Sequence, residues 1–149
     1  MAKRGPVETW IIDDTGFLKQ GVHSAGVQRQ YTGSVGKIAN CRVGVSLSVT
    51  TRDEHVPVDF ELYVPATWCD DANRRLTARI PDSVVFNTKP QLAVDMLRRA
   101  VNDGVAPGVV LADSAYGSSS EFREEIRKLG LDFGVGVGPK TTVWVLDSA

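Results

Sequence analysis

Aspartates follow two short apolar runs that lie far apart in the sequence. The stretch "WIIDDTG" carries Asp13 and Asp14, and "VVLADSAYG" carries Asp113. Two carboxylates held close together repel each other unless a cation or a proton lies between them. Hard oxygen ligands select Mg²⁺ or Mn²⁺, and such ions support phosphoryl transfer by activating a water or hydroxyl. If the two runs are neighbouring strands, they predict a divalent-metal site; the alternative for Asp14 is a turn carboxylate beside Gly16.

The hydrophobic periodicity predicts an order of elements that would bring those two runs together. In chain order it predicts strands at 8–13, 41–49 and 56–64, a helix at 89–102, a strand at 109–112, a helix at 118–129 and a strand at 131–137. The second and third strands alternate as a hairpin does, and strands separated by helices pair in parallel. We therefore expect an α/β fold with a ribonuclease-H-like mixed sheet, in which three early strands precede helix-separated parallel strands. There the first and fourth strands are adjacent and parallel, with Asp14 and Asp113 at their carboxyl ends; a flavodoxin-like sheet is the alternative.

A glycine-rich polar stretch separates the first predicted strand from the hairpin. Residues 15–40 show no sustained apolar periodicity, which predicts a long loop, and loops of this length are usually functional or mobile. Lys19, Arg29 and Lys37 within it are candidates for contacts with DNA phosphates near the metal site. The alternative is a solvated loop with no ligand.

Bulk composition limits the classes of protein to consider. The 149 residues fit one domain, and 42% hydrophobic with 23% charged residues allows a packed core. A net charge of −1 gives no overall attraction to nucleic acid, so DNA binding would need a local basic patch. No apolar stretch is long enough to span a membrane, and two separated cysteines give no zinc spacing. The composition predicts a soluble intracellular protein.

Four segments, in this order, resemble the DDE-superfamily transposases of bacterial insertion sequences. They are "IIDDTGFLKQGVHSAGVQRQYTGSVGKIANCRVGVSLSV", "LYVPATW", "FNTKPQLAVDMLRRAVNDGV" and "VVLADSAYGSSSEFR". The resemblance implies a ribonuclease-H-like catalytic domain that binds two Mg²⁺ or Mn²⁺ ions through two aspartates and a glutamate. It places the catalytic, metal-binding aspartates at Asp14 and Asp113. It also implies cleavage and strand transfer on double-stranded DNA at transposon ends, in the bacterial cytoplasm near the nucleoid.

The sequence departs from the family pattern at the third acid. The family's glutamate lies on a later helix, well beyond the second aspartate. Helix-face positions make Glu121 and Glu125 solvated residues, and neither these two nor Glu124 is expected to be the third ligand. We therefore expect residues 1–149 to be a partial DDE catalytic domain whose third-acid region is missing. The alternatives are a catalytically dead remnant, which acts by binding or inhibition as a homo-oligomer or with an intact transposase, and an aspartate-based phosphatase. The phosphatase ranks lower because that class separates its two aspartates by one residue, whereas here Asp13 and Asp14 are adjacent.

Overall fold

A single mixed sheet organises the chain in the computed structural model, which describes residues 5–142. Its elements are β1 (Thr9–Leu18), β2 (Gln28–Thr32), β3 (Lys37–Thr50), β4 (His55–Tyr63), α1 (Ala66–Cys69), α2 (Ala72–Thr77), α3 (Lys89–Asn102), β5 (Val109–Ala112), α4 (Ser114–Gly117), α5 (Ser120–Lys128) and β6 (Phe133–Val135). β3 is antiparallel to β1, β2 and β4, whereas β1, β5 and β6 pair in parallel. The predicted α/β class is confirmed, and the strand order is consistent with a ribonuclease-H-like fold. The parallel pairing of the first and fourth predicted strands is confirmed as β1 beside β5.

β3 is the long central strand on which the early part of the sheet is built. Cys41, Val43, Val45 and Leu47 alternate along it and are almost completely buried, as expected for a strand with one face against the core. One edge of β3 pairs with the whole length of β1. The other edge of β3 pairs with β2 near the start of β3 and with β4 further along it. The predicted hairpin is thus β3 and β4, and β1 and β2 extend it as two further antiparallel strands.

The prediction of a long loop at residues 15–40 is wrong. β1 continues through Leu18, β2 lies inside the predicted loop, and β3 begins at Lys37. Backbone pairing with β3 produces these extensions, although their side chains show no apolar alternation. Gly16 also looks like a loop residue, but a Cβ there would lie 1.8 Å from Oγ1 of Thr32, so glycine makes room for a neighbouring side chain.

The main core lies between one face of the sheet and the helices α3, α4 and α5. It contains residues of all these elements, with Trp10, Leu47, Met96, Tyr116 and Ile126 among them. A capping box fixes the start of α3, because the side chains of Thr88 and Gln91 each accept a hydrogen bond from the other's backbone N–H. Within residues 5–142, no helix is long and apolar enough to cross a membrane.

A second, smaller core cluster joins the stretch before β2 to the short helix α1. Val27, Val64 and Trp68 are buried together there. The indole Nε1 of Trp68 donates a hydrogen bond of 2.8 Å to the carbonyl of Val27. This contact fixes the segment that leads into β2, which composition alone suggested would be a free loop.

Candidate metal centre

The register of β1 and β5 places the predicted aspartates at the same level of the sheet. The last paired residues of the two strands are Ile11 and Leu111. Continuing this register puts Asp113, which follows the end of β5, level with Asp13 and one residue short of Asp14. The expectation that both strands end here is half wrong, because β5 ends at Ala112 but β1 continues on β3 to Leu18. Asp14 is therefore held inside a strand rather than at its tip.

The adjacent carboxylates Asp13 and Asp14 lie on opposite faces of β1. Asp14 follows the buried positions Trp10 and Ile12 at a spacing of two, and 17% of its side chain is exposed. Asp13 is on the exposed face, where its Oδ1 accepts a hydrogen bond of 2.8 Å from the backbone N–H of Asp14. Only Asp14 therefore faces the helices.

Two donors from different helices converge on a single oxygen of Asp14. The ammonium Nζ of Lys89, the first residue of α3, lies 2.8 Å from Oδ2, and the hydroxyl of Tyr116 in α4 donates to the same oxygen at 2.9 Å. Within residues 5–142, no hydrogen bond reaches Oδ1 of Asp14. The carboxylate is thus oriented through one oxygen, while the other keeps its lone pairs.

Tyr116 stays protonated at this site and so remains a donor. It is almost fully buried, and burial raises the pKa of its phenol above the usual value. The negative charge of Asp14 and the hydrogen bond to it raise this pKa further, with smaller effects from Asp113 and Asp13. The contact between Tyr116 and Asp14 is not predicted by the sequence patterns. The available signal was the place of Tyr116 in the short helix that follows Asp113.

Asp113 is an exposed carboxylate fixed by a local turn. It is the N-cap of α4, and its Oδ1 accepts a hydrogen bond of 2.8 Å from the backbone N–H of Ala115. Behind it, Gly117 lies so close to β6 that a Cβ would be 1.9 Å from the carbonyl oxygen of Gly136. α4 is therefore held against the sheet, and the direction of Asp113 is held with it.

Two of the three glutamates of α5 form ion pairs with basic side chains. Glu125 accepts a hydrogen bond of 2.8 Å from Lys128 and forms an ion pair with Arg98, and these two contacts lower the pKa of its carboxyl group. Glu124 pairs with Arg127 at 3.5 Å, and Glu121 is exposed in the first turn of α5. Across residues 5–142, no group of three or more His, Cys, Asp or Glu side chains could hold a metal ion.

The three predicted DNA-contact residues are all exposed, but they do not share one face. Lys19 follows β1, Arg29 lies in β2 opposite Asn40, and Lys37 opens β3 opposite Thr32. Alternation along the β2–β3 ribbon directs Arg29 and Lys37 to opposite faces. The ribbon thus offers cations on both sides rather than one basic surface.

Comparison with known proteins decides the family. The family model described as "DDE superfamily endonuclease" matches residues 1–149. The chain belongs to this family. It is also 31% identical, over 137 residues, to a protein of Microchaete diplosiphon described as a probable transposase for insertion sequence element IS701. That alignment covers 91% of this chain and 33% of the relative, so this DDE chain spans about a third of the relative's length. No solved structure matches it significantly. The family resemblance seen in the sequence is confirmed.

DDE superfamily endonucleases generally use divalent metals, and the residues around Asp14 fit such an ion in two respects. The donor set is hard, because Asp14 and Asp113 offer carboxylate oxygens of the kind that bind Mg²⁺ together with waters and substrate phosphate. The Lys89 ammonium in contact with Asp14 shows that positive charge is accommodated there. Asp14 and Asp113 are therefore the residues whose chemistry suits such an ion.

Proposed function

We propose that this chain supplies part of the ribonuclease-H-like catalytic domain of a DNA transposase, with Asp14 and Asp113 as its metal-binding, catalytic aspartates. The observation that carries the proposal is the parallel pairing of β1 with β5, which sets Asp113 level with the Asp13–Asp14 pair. Membership in the DDE family and the similarity to the insertion-sequence transposase support the same reaction class. The reaction would be cleavage and strand transfer at the phosphodiesters of transposon ends.

The chain's own residues would prepare the site for that reaction. Tyr116 donates to Oδ2 of Asp14 and fixes the orientation of the carboxylate, which leaves Oδ1 accessible. The N-cap bond to Ala115 similarly leaves the second oxygen of Asp113 available. Divalent-metal chemistry, when available, would activate the attacking hydroxyl and stabilise the leaving oxygen. Each carboxylate thus combines one fixed oxygen with one free to ligate.

Double-stranded DNA would approach along the β2–β3 ribbon. Lys19, Arg29 and Lys37 are exposed, but Arg29 and Lys37 lie on opposite faces, so only the cations on the face that meets the DNA would contact its backbone phosphates. The net charge of −1 gives no general attraction, so this local group would supply the electrostatic contribution. Binding should accordingly weaken as salt concentration rises.

Mn²⁺-dependent nicking of supercoiled plasmid tests the proposal. We expect the wild-type chain to nick, and Asp113→Asn to lower the rate at least about tenfold, since even residues that only support metal ligands contribute ~10–100-fold. Asp132→Asn is the matched control, because Asp132 is exposed and precedes the amino end of β6, whereas Asp113 follows the carboxyl end of the parallel strand β5. Nicking that survives Asp113→Asn unchanged would contradict the assigned role.

A second candidate function is binding without cleavage. It is favoured by the lack, within residues 5–142, of a cluster of three potential metal ligands. In that case the chain would act as a homo-oligomer or together with an intact transposase, binding or inhibiting rather than cutting. A wild-type chain that binds DNA but does not nick it with Mn²⁺ would put this candidate first.

A further inference from the structure

Lys89 occupies a position where local electrostatics disfavour a cation. It is the first residue of α3, whose first turn contains no acidic residue. The N-terminus of a helix carries partial positive charge, so acidic side chains are favoured there and lysine is not. A lysine that goes against this electrostatic preference, in an otherwise well-formed cap, indicates a role that depends on a contact outside the helix. The cap itself is well formed, with a complete Thr88–Gln91 box.

The compensating partner of Lys89 is the carboxylate of Asp14 across the sheet. The Nζ–Oδ2 distance is 2.8 Å, and 29% of the Lys89 side chain and 17% of the Asp14 side chain are exposed. Because Tyr116 already donates to Oδ2, the carboxylate does not need Lys89 to be oriented. What Lys89 adds is positive charge. Without it, the partly buried carboxylate of Asp14 would lie uncompensated near the negative charges of Asp13 and Asp113.

We infer that Lys89 is a built-in counter-ion of Asp14 that competes with the divalent cation for this carboxylate. The inference rests on the proposed function, because it takes Asp14 to be a metal ligand. A dication at Asp14 and an ammonium on the same carboxyl group repel each other strongly in a partly dry site. Lys89 can move away from Asp14 when the cation binds, because its charge is carried on a flexible four-carbon stem. Lys89 therefore lowers the affinity for the cation and leaves a free ammonium beside the site, where a substrate phosphate would attract it.

This role differs from that of an ion pair that simply docks α3 on the sheet. A docking pair would position Asp14, so neutralising Lys89 would leave cation binding unchanged or weaken it. A competing counter-ion has the opposite effect, because its removal strengthens cation binding. The sign of the change in affinity thus separates the two roles.

A titration with Mn²⁺, with the free ion measured by electron paramagnetic resonance, tests the inference. We expect Lys89→Met to lower the Mn²⁺ dissociation constant by about tenfold or more, because the substitution removes a positive charge that repels the cation. Lys89→Arg, which keeps the charge, should bind as the wild type does. Lys128→Met is the matched control: Lys128 is also a helix lysine paired with a carboxylate, Glu125, and its removal should leave the affinity unchanged.

Two further variants keep the result decisive. Lys89→Gln provides a second neutral side chain in case methionine disturbs folding. Near-ultraviolet circular dichroism checks that Lys89→Met and Lys89→Gln keep the native fold before titration. If Asp14→Asn weakens Mn²⁺ binding but neither neutral Lys89 variant tightens it, the counter-ion inference is overturned and the proposed function stands. If Asp14→Asn leaves Mn²⁺ binding unchanged, both are overturned.

Discussion

Trp10→Ala is expected to lower the free energy of unfolding by about 3–5 kcal/mol, the range found for truncating a buried tryptophan. The indole of Trp10 is completely buried in the main core, and its Nε1 donates a hydrogen bond of 2.9 Å to the carbonyl of Ala106. Removing it leaves a cavity and loses the hydrogen bond to Ala106. Since small domains are stable by only ~5–15 kcal/mol, a substantial part of the stability would be lost. Urea denaturation followed by far-ultraviolet circular dichroism measures the change.

The location of Trp10 makes this change relevant to the site as well as to stability. Trp10 pairs with Val110 in the parallel register that sets Asp113 against β1. Leu76→Ala is the control, because Leu76 is 78% exposed and its truncation should change stability by less than about 0.5 kcal/mol. A loss below about 1.5 kcal/mol for Trp10→Ala would show that the core between β1 and β5 does not depend on this side chain.

Asp14→Asn is expected to weaken Mn²⁺ binding by about tenfold to a hundredfold, whereas Asp13→Asn should change it by less than about threefold. Asparagine keeps the shape of the side chain and can still accept the hydrogen bond from Tyr116, so the loss would report charge rather than misfolding. Asp13 is adjacent in sequence but lies on the exposed face of β1, where its charge is screened by solvent. Isothermal titration calorimetry on the two variants measures both constants.

Comparing the Asp13 and Asp14 variants also controls for the change in net charge. The two substitutions change the net charge equally, so a general electrostatic effect would weaken binding in both. A larger effect of Asp13→Asn than of Asp14→Asn would reverse the assignment and move the site to the other face of the sheet.

The parts of the fold that could be predicted from the sequence are those whose side chains show a regular hydrophobic pattern. The buried alternation of β3 and the fully apolar run of β5 predicted their strands, and the parallel pairing of β1 with β5 followed from the order of elements. That pairing is enough to bring Asp113 to within one residue of the level of Asp14.

The parts that were missed depend on partners distant in the chain. The end of β1 and the whole of β2 are held by backbone pairing with β3 and have mainly polar or glycine residues, so periodicity predicted a loop. Gly16 is required by the side chain of Thr32, which no local pattern indicates. Lys89 was missed for a related reason: its partner Asp14 is 75 positions away, and the only local sign was a cation at the start of a helix.

Paramagnetic broadening by Mn²⁺ in the amide spectrum of the isotopically labelled chain tests the metal assignment most directly. A site formed by Asp14 and Asp113 predicts that substoichiometric Mn²⁺ first broadens the amide signals around both aspartates, including those of Tyr116 and Lys89. The surface acids Asp59 and Glu61, which pair with Arg99, provide an internal reference and should broaden only at higher concentration. Broadening that begins at those surface acids, or at Asp113 without Asp14, would contradict a shared site on the two strands.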